Sequence, residues 1–193
     1  PQEIRGIKFY RNLNKVLKTK KVKYFQLRLK NISIPDLLKI AKKVKKIVKK
    51  NKVKFLINDN PILAKMIDAD GCHIGQKDLD IINSRKILGK NKIIGITCHN
   101  SKKLALRAKK NGANYVAFGS FFQSVTKKTA SKANLEILRW AKKKINMPSV
   151  AIGGINSSNY IKILSNGADF IAFSNYVWNN KKLDPVSAIN KFK

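Results

Sequence analysis

The chain has 193 residues, of which 44% are apolar, and it carries 42 Lys and Arg against 10 Asp and Glu. A chain of this size and composition buries a sizeable core, so we expect residues 1–193 to form a single domain. No apolar run reaches the ~20 residues that cross a bilayer and the N-terminus lacks the order of a signal peptide, which predicts a soluble, cytoplasmic protein with no membrane partner.

Short apolar runs alternate with helical patterns along the chain, which is typical of a parallel sheet with crossover helices. The predicted strands are residues 23–29, 53–58, 70–74, 92–97, 114–119, 149–153 and 169–174. The predicted helices are residues 11–19, 35–50, 61–68, 79–88, 101–111, 134–145, 157–166 and 185–192.

The lysine-rich run at residues 39–54 bears on whether the net charge of +32 marks a nucleic-acid-binding protein. Its lysines alternate with Ile40, Val44 and Val48 at helical spacing, which predicts the solvent-facing side of an amphipathic helix. Lysines are spread over every predicted helix, and aromatic residues do not interleave with them on one face. A non-catalytic, basic nucleic-acid-binding barrel is therefore only an alternative, and we expect no nucleic-acid partner.

Three helix-to-strand connections have nearly the same sequence. They are Asp68-Ala69-Asp70-Gly71, Asn111-Gly112-Ala113-Asn114 and Asn166-Gly167-Ala168-Asp169. Repetition of such a unit favours a (β/α)8 TIM barrel over a doubly wound open sheet, and no Gly-x-Gly-x-x-Gly follows a strand. Because only seven strands are predicted, we expect that the first strand is missing from this sequence. The strands at 23–29 and 169–174 should then flank a gap that residues 1–7 partly cover.

Polar side chains follow the predicted strands, where a barrel places its active site. Gln26, Arg28 and Lys30 share one face of their segment, because side chains of a strand alternate. Acidic residues are scarce, so a bound anion is a better partner for these cations than a buried salt bridge. Asp59 and Asp78 follow neighbouring strands, and such carboxylates suit Mg²⁺ bridged to a substrate phosphate. The sequence predicts a metal–pyrophosphate site.

A second phosphate site is predicted near the last two strands. A glycine-rich turn at Gly154 joins a strand to a helix, where backbone N–H groups can hold a phosphate, and Ser174 ends the last strand. Ser124, Thr126 and Lys127 lie in a long stretch before the next helix, which is long enough to form a lid.

The histidines and cysteines indicate no metal site. His73 and His99 have no second histidine or cysteine placed for zinc, and we interpret both as packed, hydrogen-bonded residues rather than general bases. Cys72 and Cys98 are expected to be small core residues without a disulfide.

Segments that span nearly the whole chain resemble the thiamine phosphate synthase family. They are Gln26-Leu27-Arg28-Leu29-Lys30, Ile57-Asn58-Asp59, Ala69-Asp70-Gly71-Cys72-His73-Ile74-Gly75-Gln76-Lys77-Asp78, Tyr115-Val116-Ala117-Phe118-Gly119, Thr126-Lys127 and Val150-Ala151-Ile152-Gly153-Gly154-Ile155. The resemblance implies an Mg²⁺-dependent enzyme with two small-molecule substrates. It would condense hydroxymethylpyrimidine pyrophosphate with thiazole phosphate, giving thiamine phosphate and pyrophosphate.

The resemblance also implies a role for each site residue. The pyrimidine pyrophosphate would be held by Gln26, Arg28, Lys30, Asn58, Thr97 and Lys127. Mg²⁺ would be bound by Asp59 and Asp78, and thiazole phosphate by Ser124, Thr126, Gly154 and Ser174. The expected catalytic residues are Arg28, Lys30 and Lys127, which neutralise charge on the leaving group. Departures from the family pattern are Leu29 for an acidic residue, Thr97 for a serine, and Gln123-Ser124 for a proline–threonine pair.

The related thiazole tautomerase is the nearest alternative. It resembles the synthase but isomerises a thiazole phosphate without metal or pyrophosphate, and His99 would be its acid–base residue. A tautomerase should not need Asp78, Lys30 and Lys127 together, so the presence of all three favours the synthase.

Overall fold

Seven parallel strands form one sheet in chain order in the computed structural model, which describes Ile4 and residues 6–123 and 132–193. The strands are β1 (Tyr24–Leu27), β2 (Lys54–Asn58), β3 (Gly71–Ile74), β4 (Ile93–His99), β5 (Tyr115–Gly119), β6 (Ser149–Ile152) and β7 (Phe170–Ala172). The helices described are α1 (Gly6–Lys18), α2 (Ile34–Lys50), α3 (Pro61–Met66), α4 (Ile81–Leu88), α5 (Lys102–Lys110), α6 (Glu136–Lys144), α7 (Tyr160–Leu164), α8 (Asn175–Trp178) and α9 (Pro185–Asn190). This order is that of a TIM-like barrel, as predicted.

The sheet curls until its first and last strands approach each other. Within the described residues β1 and β7 are not hydrogen-bonded, so the gap expected between them is present. Side chains nevertheless meet across it, since the rings of Tyr24 and Phe170 lie edge to face with centroids 5.5 Å apart. Outside the sheet, α1 packs against both α2 and α9, and the rings of Phe9 and Trp178 are 5.2 Å apart. The helix layer therefore continues past the gap in the strand layer.

Two helices differ most from the sequence predictions, and the ends of the others shift by no more than three residues. α1 begins at Gly6 rather than at residue 11, because Phe9 continues the buried stripe of Leu13, Val16 and Leu17. α8 was not predicted, since its four residues are too few to show a helical period. No helix in the described part of the chain is long and apolar enough to span a membrane.

Residues 39–50 of the lysine-rich run lie on α2, as their periodicity predicts, whereas Lys52 lies in the turn after the helix and Lys54 begins β2. Ala41, Val44 and Val48 are fully buried in the core, while the lysines between them face solvent or the helix flank. The helix begins with a side-chain cap, because the Ser33 hydroxyl accepts a hydrogen bond from the Asp36 N–H. The part of the charge run on α2 is therefore the solvated face of a structural helix.

The three repeated connections make the same pair of hydrogen bonds. In each, the residue that follows the shared alanine donates its backbone N–H to a residue of the preceding strand and accepts the N–H of that same residue on its side chain. These pairs, which we call strand bridges, are Asp70 with Phe55, Asn114 with Ile94, and Asp169 with Ser149, with N···O distances of 2.7–3.1 Å. The strand bridges join the amino-terminal ends of β2 to β3, β4 to β5 and β6 to β7.

Candidate active site

The predicted site residues that the structure describes lie at or just beyond the carboxyl ends of the strands. Gln26, Asn58 and Thr97 belong to β1, β2 and β4, while Arg28, Lys30, Asp59, Asp78, Gly154 and Ser174 follow β1, β2, β3, β6 and β7. The predicted residues Ser124, Thr126 and Lys127 lie outside the described residues. Because parallel strands end at one edge of the sheet, these groups face a common space.

Two amide side chains pair across the first two strands. The Gln26 Nε2 group donates to Asn58 Oδ1 at 2.5 Å, and both side chains are half-buried. Within the described residues the Gln26 carbonyl oxygen and the Asn58 amide nitrogen have no side-chain partner, which leaves one acceptor and one donor for a ligand.

The carboxyl groups of Asp59 and Asp78 come together at the ends of β2 and β3. Asp59 has a left-handed backbone, with φ of 63°, which turns the chain out of the strand. Asp78 Oδ2 accepts the N–H of Gly75 at 2.6 Å. Although Asp59 is partly open to solvent, its partial burial raises its pKa to about 6, and hydrogen bonding and charge repulsion from Asp78 add to this.

Arg28 and Lys30 lie near the same carboxylate. Their charges oppose the rise in the Asp59 pKa, but they are weaker than burial and the effect of Asp78. In the part of the chain that the structure describes, neither cation forms an ion pair with a carboxylate. Both cations are therefore open to an incoming anion.

This set of charges fits Mg²⁺ and a polyphosphate. Two carboxylates held side by side resist full ionisation, and a divalent cation between them would remove that cost. The described ranges contain no cluster of three or more His, Cys, Asp or Glu placed for a metal. Asp59 and Asp78 would thus supply two oxygen ligands, and water and substrate phosphate would supply the others, as is usual for Mg²⁺.

His73 joins two other strands through both ring nitrogens. Its Nδ1 lies 2.7 Å from Tyr115 Oη, and its Nε2 lies 2.9 Å from Thr97 Oγ1. The residue is only 8% exposed, and burial lowers its pKa to about 4, with a smaller opposing effect of Asp78. The prediction of a packed, hydrogen-bonded His73 is confirmed.

Tyr115 and Gln76 are site residues that the sequence reasoning missed. The Gln76 Nε2 group donates to the Thr97 carbonyl at 2.5 Å, so Thr97 is held from two sides. Tyr115 extends over Gly95 in the neighbouring strand, where an added Cβ would lie 1.9 Å from Tyr115 Cζ. A glycine within β4 was the available signal, because such a glycine often marks the close approach of another group.

His99 is not packed, and the prediction for it was wrong. It is exposed at the end of β4 with φ of 52°. The pairing of β4 with β5 shifts register between Thr97 and His99, and this irregularity turns the end of the strand toward solvent. Cys72 and Cys98 are buried free thiols, as predicted.

The glycine turn that contains Gly154 packs against residues 120–123, which follow β5. Gly153 and Gly154 have φ of +102° and +64°, and a Cβ on Gly154 would lie 2.6 Å from the Gln123 carbonyl oxygen. Within residues 6–123 and 132–193, the N–H groups of both glycines donate to no protein acceptor. Ser174 is exposed before α8, at the end of the strand that pairs with β6. The two predicted phosphate-binding positions therefore lie on neighbouring strand ends.

The chain has clear relatives. A family model described as Thiamine monophosphate synthase matches residues 1–177. The thiamine-phosphate synthase of Pelagibacter ubique (strain HTCC1062) is 55% identical over 193 residues, which cover 100% of this chain and 93% of that protein. The thiamine-phosphate synthase of Erythrobacter litoralis (strain HTCC2594) is 39% identical over 192 residues, which cover 97% of this chain and 90% of that protein.

A solved structure shares the fold and part of the sequence. The thiamine phosphate pyrophosphorylase from Pyrococcus furiosus superimposes with a TM-score of 0.83 at 30% sequence identity. The match covers 94% of this chain and 86% of that one.

Proposed function

Since the chain belongs to the thiamine monophosphate synthase family, we propose that it joins hydroxymethylpyrimidine pyrophosphate to thiazole phosphate, forming thiamine phosphate and releasing pyrophosphate. One observation in the site carries this proposal most directly. The charges of Arg28 and Lys30 act on the Asp59 carboxyl, which is hydrogen-bonded to Asp78 at one edge of the sheet, and neither cation has an ion pair of its own in the described residues. Such a site suits a metal-bound pyrophosphate. We place the enzyme in the cytoplasm, with no nucleic-acid partner.

The pyrophosphate end of the first substrate is assigned to the cations. Arg28 and Lys30 neutralise the negative charge that grows on the leaving group, and a preorganised site makes this stabilisation larger than in water. When bound at Asp59 and Asp78, Mg²⁺ supplies further positive charge to the phosphate oxygens. Lys127, which lies outside the described residues, is assigned to the same leaving group by family resemblance.

The pyrimidine end is assigned to the polar side chains inside the sheet. The paired amides of Gln26 and Asn58 retain one acceptor and one donor, which can orient an aminopyrimidine ring. Thr97 adds a hydroxyl from the opposite side of the site. These groups position the ring so that loss of pyrophosphate leaves a cationic methylene facing the second substrate.

The thiazole phosphate is assigned to the ends of β6 and β7. The N–H groups of Gly153 and Gly154 and the Ser174 hydroxyl provide donors for its phosphate. Ser124 and Thr126, which the structure does not describe, complete this group by family resemblance. The thiazole nitrogen then attacks the methylene carbon, so the chain needs neither a covalent nucleophile nor a strong base.

A single incubation separates this proposal from the alternatives. The purified protein is mixed with both substrates with and without Mg²⁺, and products are resolved by chromatography and phosphorus NMR. Thiamine phosphate and pyrophosphate formed only with Mg²⁺ support the synthase. Isomerised thiazole phosphate formed without Mg²⁺ contradicts it in favour of the tautomerase. Salt-sensitive DNA binding with no product indicates the non-catalytic basic barrel.

A further inference from the structure

Three side chains inside the sheet form one chain of hydrogen bonds, which we call the hydroxyl network. The Tyr115 hydroxyl contacts His73 Nδ1 at 2.7 Å, and His73 Nε2 contacts the Thr97 hydroxyl at 2.9 Å. Both contacts are short enough to be full hydrogen bonds. Each hydroxyl can donate or accept, so the protonation of the histidine decides the direction of the whole network.

The tyrosine end of the network sets that direction. Within the described residues, His73 Nδ1 is the only hydrogen-bond partner of the Tyr115 hydroxyl. Burial also raises the pKa of Tyr115, so the phenol keeps its proton. A buried O–H group without an acceptor is costly, so Tyr115 donates to Nδ1 and Nδ1 carries no hydrogen.

The direction then passes to Thr97. A neutral imidazole has one N–H group, and with Nδ1 unprotonated that group is at Nε2. Nε2 therefore donates to Thr97 Oγ1. The Thr97 hydroxyl proton cannot point back at a donor, and in the part of the chain described here it has no other acceptor. It is left pointing into the space that faces the substrate.

We propose that His73 and Tyr115 are positioning residues that fix Thr97 as a hydrogen-bond donor to an acceptor atom of the pyrimidine pyrophosphate. Neither touches the substrate, and both act through the Thr97 hydroxyl. The role rests on the proposed function for its substrate, but the protonation pattern is a property of the protein by itself. The two can therefore be tested separately.

The first test measures the protonation pattern without any substrate. The chain has only two histidines, so a His99→Gln variant leaves His73 as the sole source of imidazole signals. Nitrogen NMR of this variant at neutral pH should show a proton-bearing Nε2 and a bare Nδ1. In His99→Gln/Tyr115→Phe the two nitrogens should move toward the averaged shifts of a mixed tautomer. A protonated Nδ1 in the parent variant overturns the proposal.

The second test is a double-mutant cycle on the KM for pyrimidine pyrophosphate. Thr97→Val removes the hydroxyl, and His73→Leu removes the group that orients it. Each should raise that KM by roughly tenfold, the value of one hydrogen bond, with little change in the KM for thiazole phosphate. The double variant should be no worse than Thr97→Val, because His73 acts through that hydroxyl.

Conservative variants distinguish positioning from packing. His73→Gln keeps an N–H group near the position of Nε2 and should recover most of the wild-type KM, as should Thr97→Ser. Cys72→Ala is the matched control, since it truncates a fully buried side chain at the neighbouring position of the same strand. It should lower the melting temperature and leave this KM unchanged. If the effects of His73→Leu and Thr97→Val multiply, or if Cys72→Ala raises the KM equally, the positioning role is wrong.

If the proposed function is wrong, the turnover assay fails, whereas the NMR experiment still gives a result. If the wild-type protein forms no thiamine phosphate, the assignment of the substrate falls with the proposed function. The NMR experiment would still decide whether the network has the direction stated here.

Discussion

Asp59 and His73 are both driven toward their neutral forms at the same edge of the sheet. Burial is the main cause in each case, and it raises the pKa of the acid to about 6 and lowers that of the base to about 4. Removal from water disfavours whichever form is charged, so the two shifts have opposite signs. The consequences for stability therefore fall in different pH ranges.

For Asp59, the folded-state pKa of about 6 lies above the usual value of 3.8. The folded state then binds its proton more tightly than the unfolded state, so stability is lost as pH rises from 3.8 to 6. Without Mg²⁺, Asp59→Asn should exceed the wild type in stability at neutral pH, by at most about 1 kcal/mol because the site is open to solvent. The advantage should vanish below the lower pKa. Urea unfolding across this range measures it, and equal pH profiles would contradict it.

For His73, the folded-state pKa of about 4 lies below the usual 6.5. The unfolded state takes up the proton first on acidification, so stability is lost as pH falls below 6.5. Between neutral pH and pH ~5 the wild type should lose about 2 kcal/mol more than His73→Gln, which cannot titrate. Urea midpoints at the two pH values test this, and a parallel loss in both proteins would refute the shift.

The carboxylate pair also makes a prediction about turnover. Asp59→Ala and Asp78→Ala should each abolish Mg²⁺-dependent formation of thiamine phosphate and leave the fold intact, because one remaining carboxylate is a poor Mg²⁺ site. Asp80→Ala is the matched control, since Asp80 is exposed and only caps α4. That variant should keep its activity and lose some stability with the helix cap. Undiminished activity in Asp59→Ala or Asp78→Ala would remove the metal assignment.

The sequence predicted which polar residues lie at the strand ends better than it predicted the environment of each. His73 and His99 looked alike, since each lies at or near the end of an apolar strand. Only the register shift at the end of β4 exposes His99, and no local pattern signals that shift. Tyr115 was read as part of a strand, because its role depends on the space above Gly95, a contact between two strands.

At the scale of elements, the strand bridges explain why the residue after the shared alanine of each repeated connection is Asp or Asn. A side-chain oxygen is needed to accept the N–H of the neighbouring strand, and both residues supply one at the same distance from the backbone. The repetition was visible in the sequence and predicted the helix-to-strand unit. The hydrogen bonds were not predictable, since they join residues of different strands.

Asp169→Ala tests the strand bridges. It leaves the N–H of Ser149, which is 1% exposed, without its side-chain acceptor, and this should cost about 1–3 kcal/mol. Asp169→Asn keeps an oxygen in place and should recover most of the loss. Urea unfolding gives the free energies, and kcat should remain within about twofold in both variants because the bridge lies far from the site. An equal loss in Asp169→Asn would show that the ion pair with Lys142, rather than the bridge, supplies the stability.

At the scale of the whole molecule, positively charged side chains far outnumber negatively charged ones. The net charge is +32, and the ion pairs of the described residues use only Asp68, Asp70 and Asp169. Most lysines of the described residues therefore repel one another across the surface without a carboxylate partner. The basic composition reflects the helix surfaces and carries a cost in stability.

Screening of the lysine charges by salt should recover part of the stability that their repulsion removes. Raising NaCl from about 10 mM to about 300 mM shortens the screening length from roughly 30 Å to below 8 Å. The melting temperature should rise by about 3 °C or more, corresponding to about 1 kcal/mol for a chain of this size. Differential scanning calorimetry measures the change. A melting temperature that falls with salt would show that the ion pairs outweigh the repulsion.

The alternation of strand and helix patterns in the sequence predicted the order of the barrel elements. It did not predict how the helix layer continues past the strand gap. That continuity depends on α8, which is too short to show a period, and on Trp178, whose contacts come from distant segments. Aromatic packing of this kind involves residues far apart in the chain. Its partners cannot be deduced from local spacing.

The strand bridges and the candidate active site occupy opposite ends of the same strands. Polar contacts that hold the strands together are thus separated from the loops that would carry the chemistry, and a substitution at one end leaves the other undisturbed. This division makes the chain a suitable scaffold for directed evolution. Libraries confined to the loops after β1, β4 and β6 can explore new phosphorylated substrates, provided that Arg28, Lys30 and the bridging residues Asp70, Asn114 and Asp169 are retained.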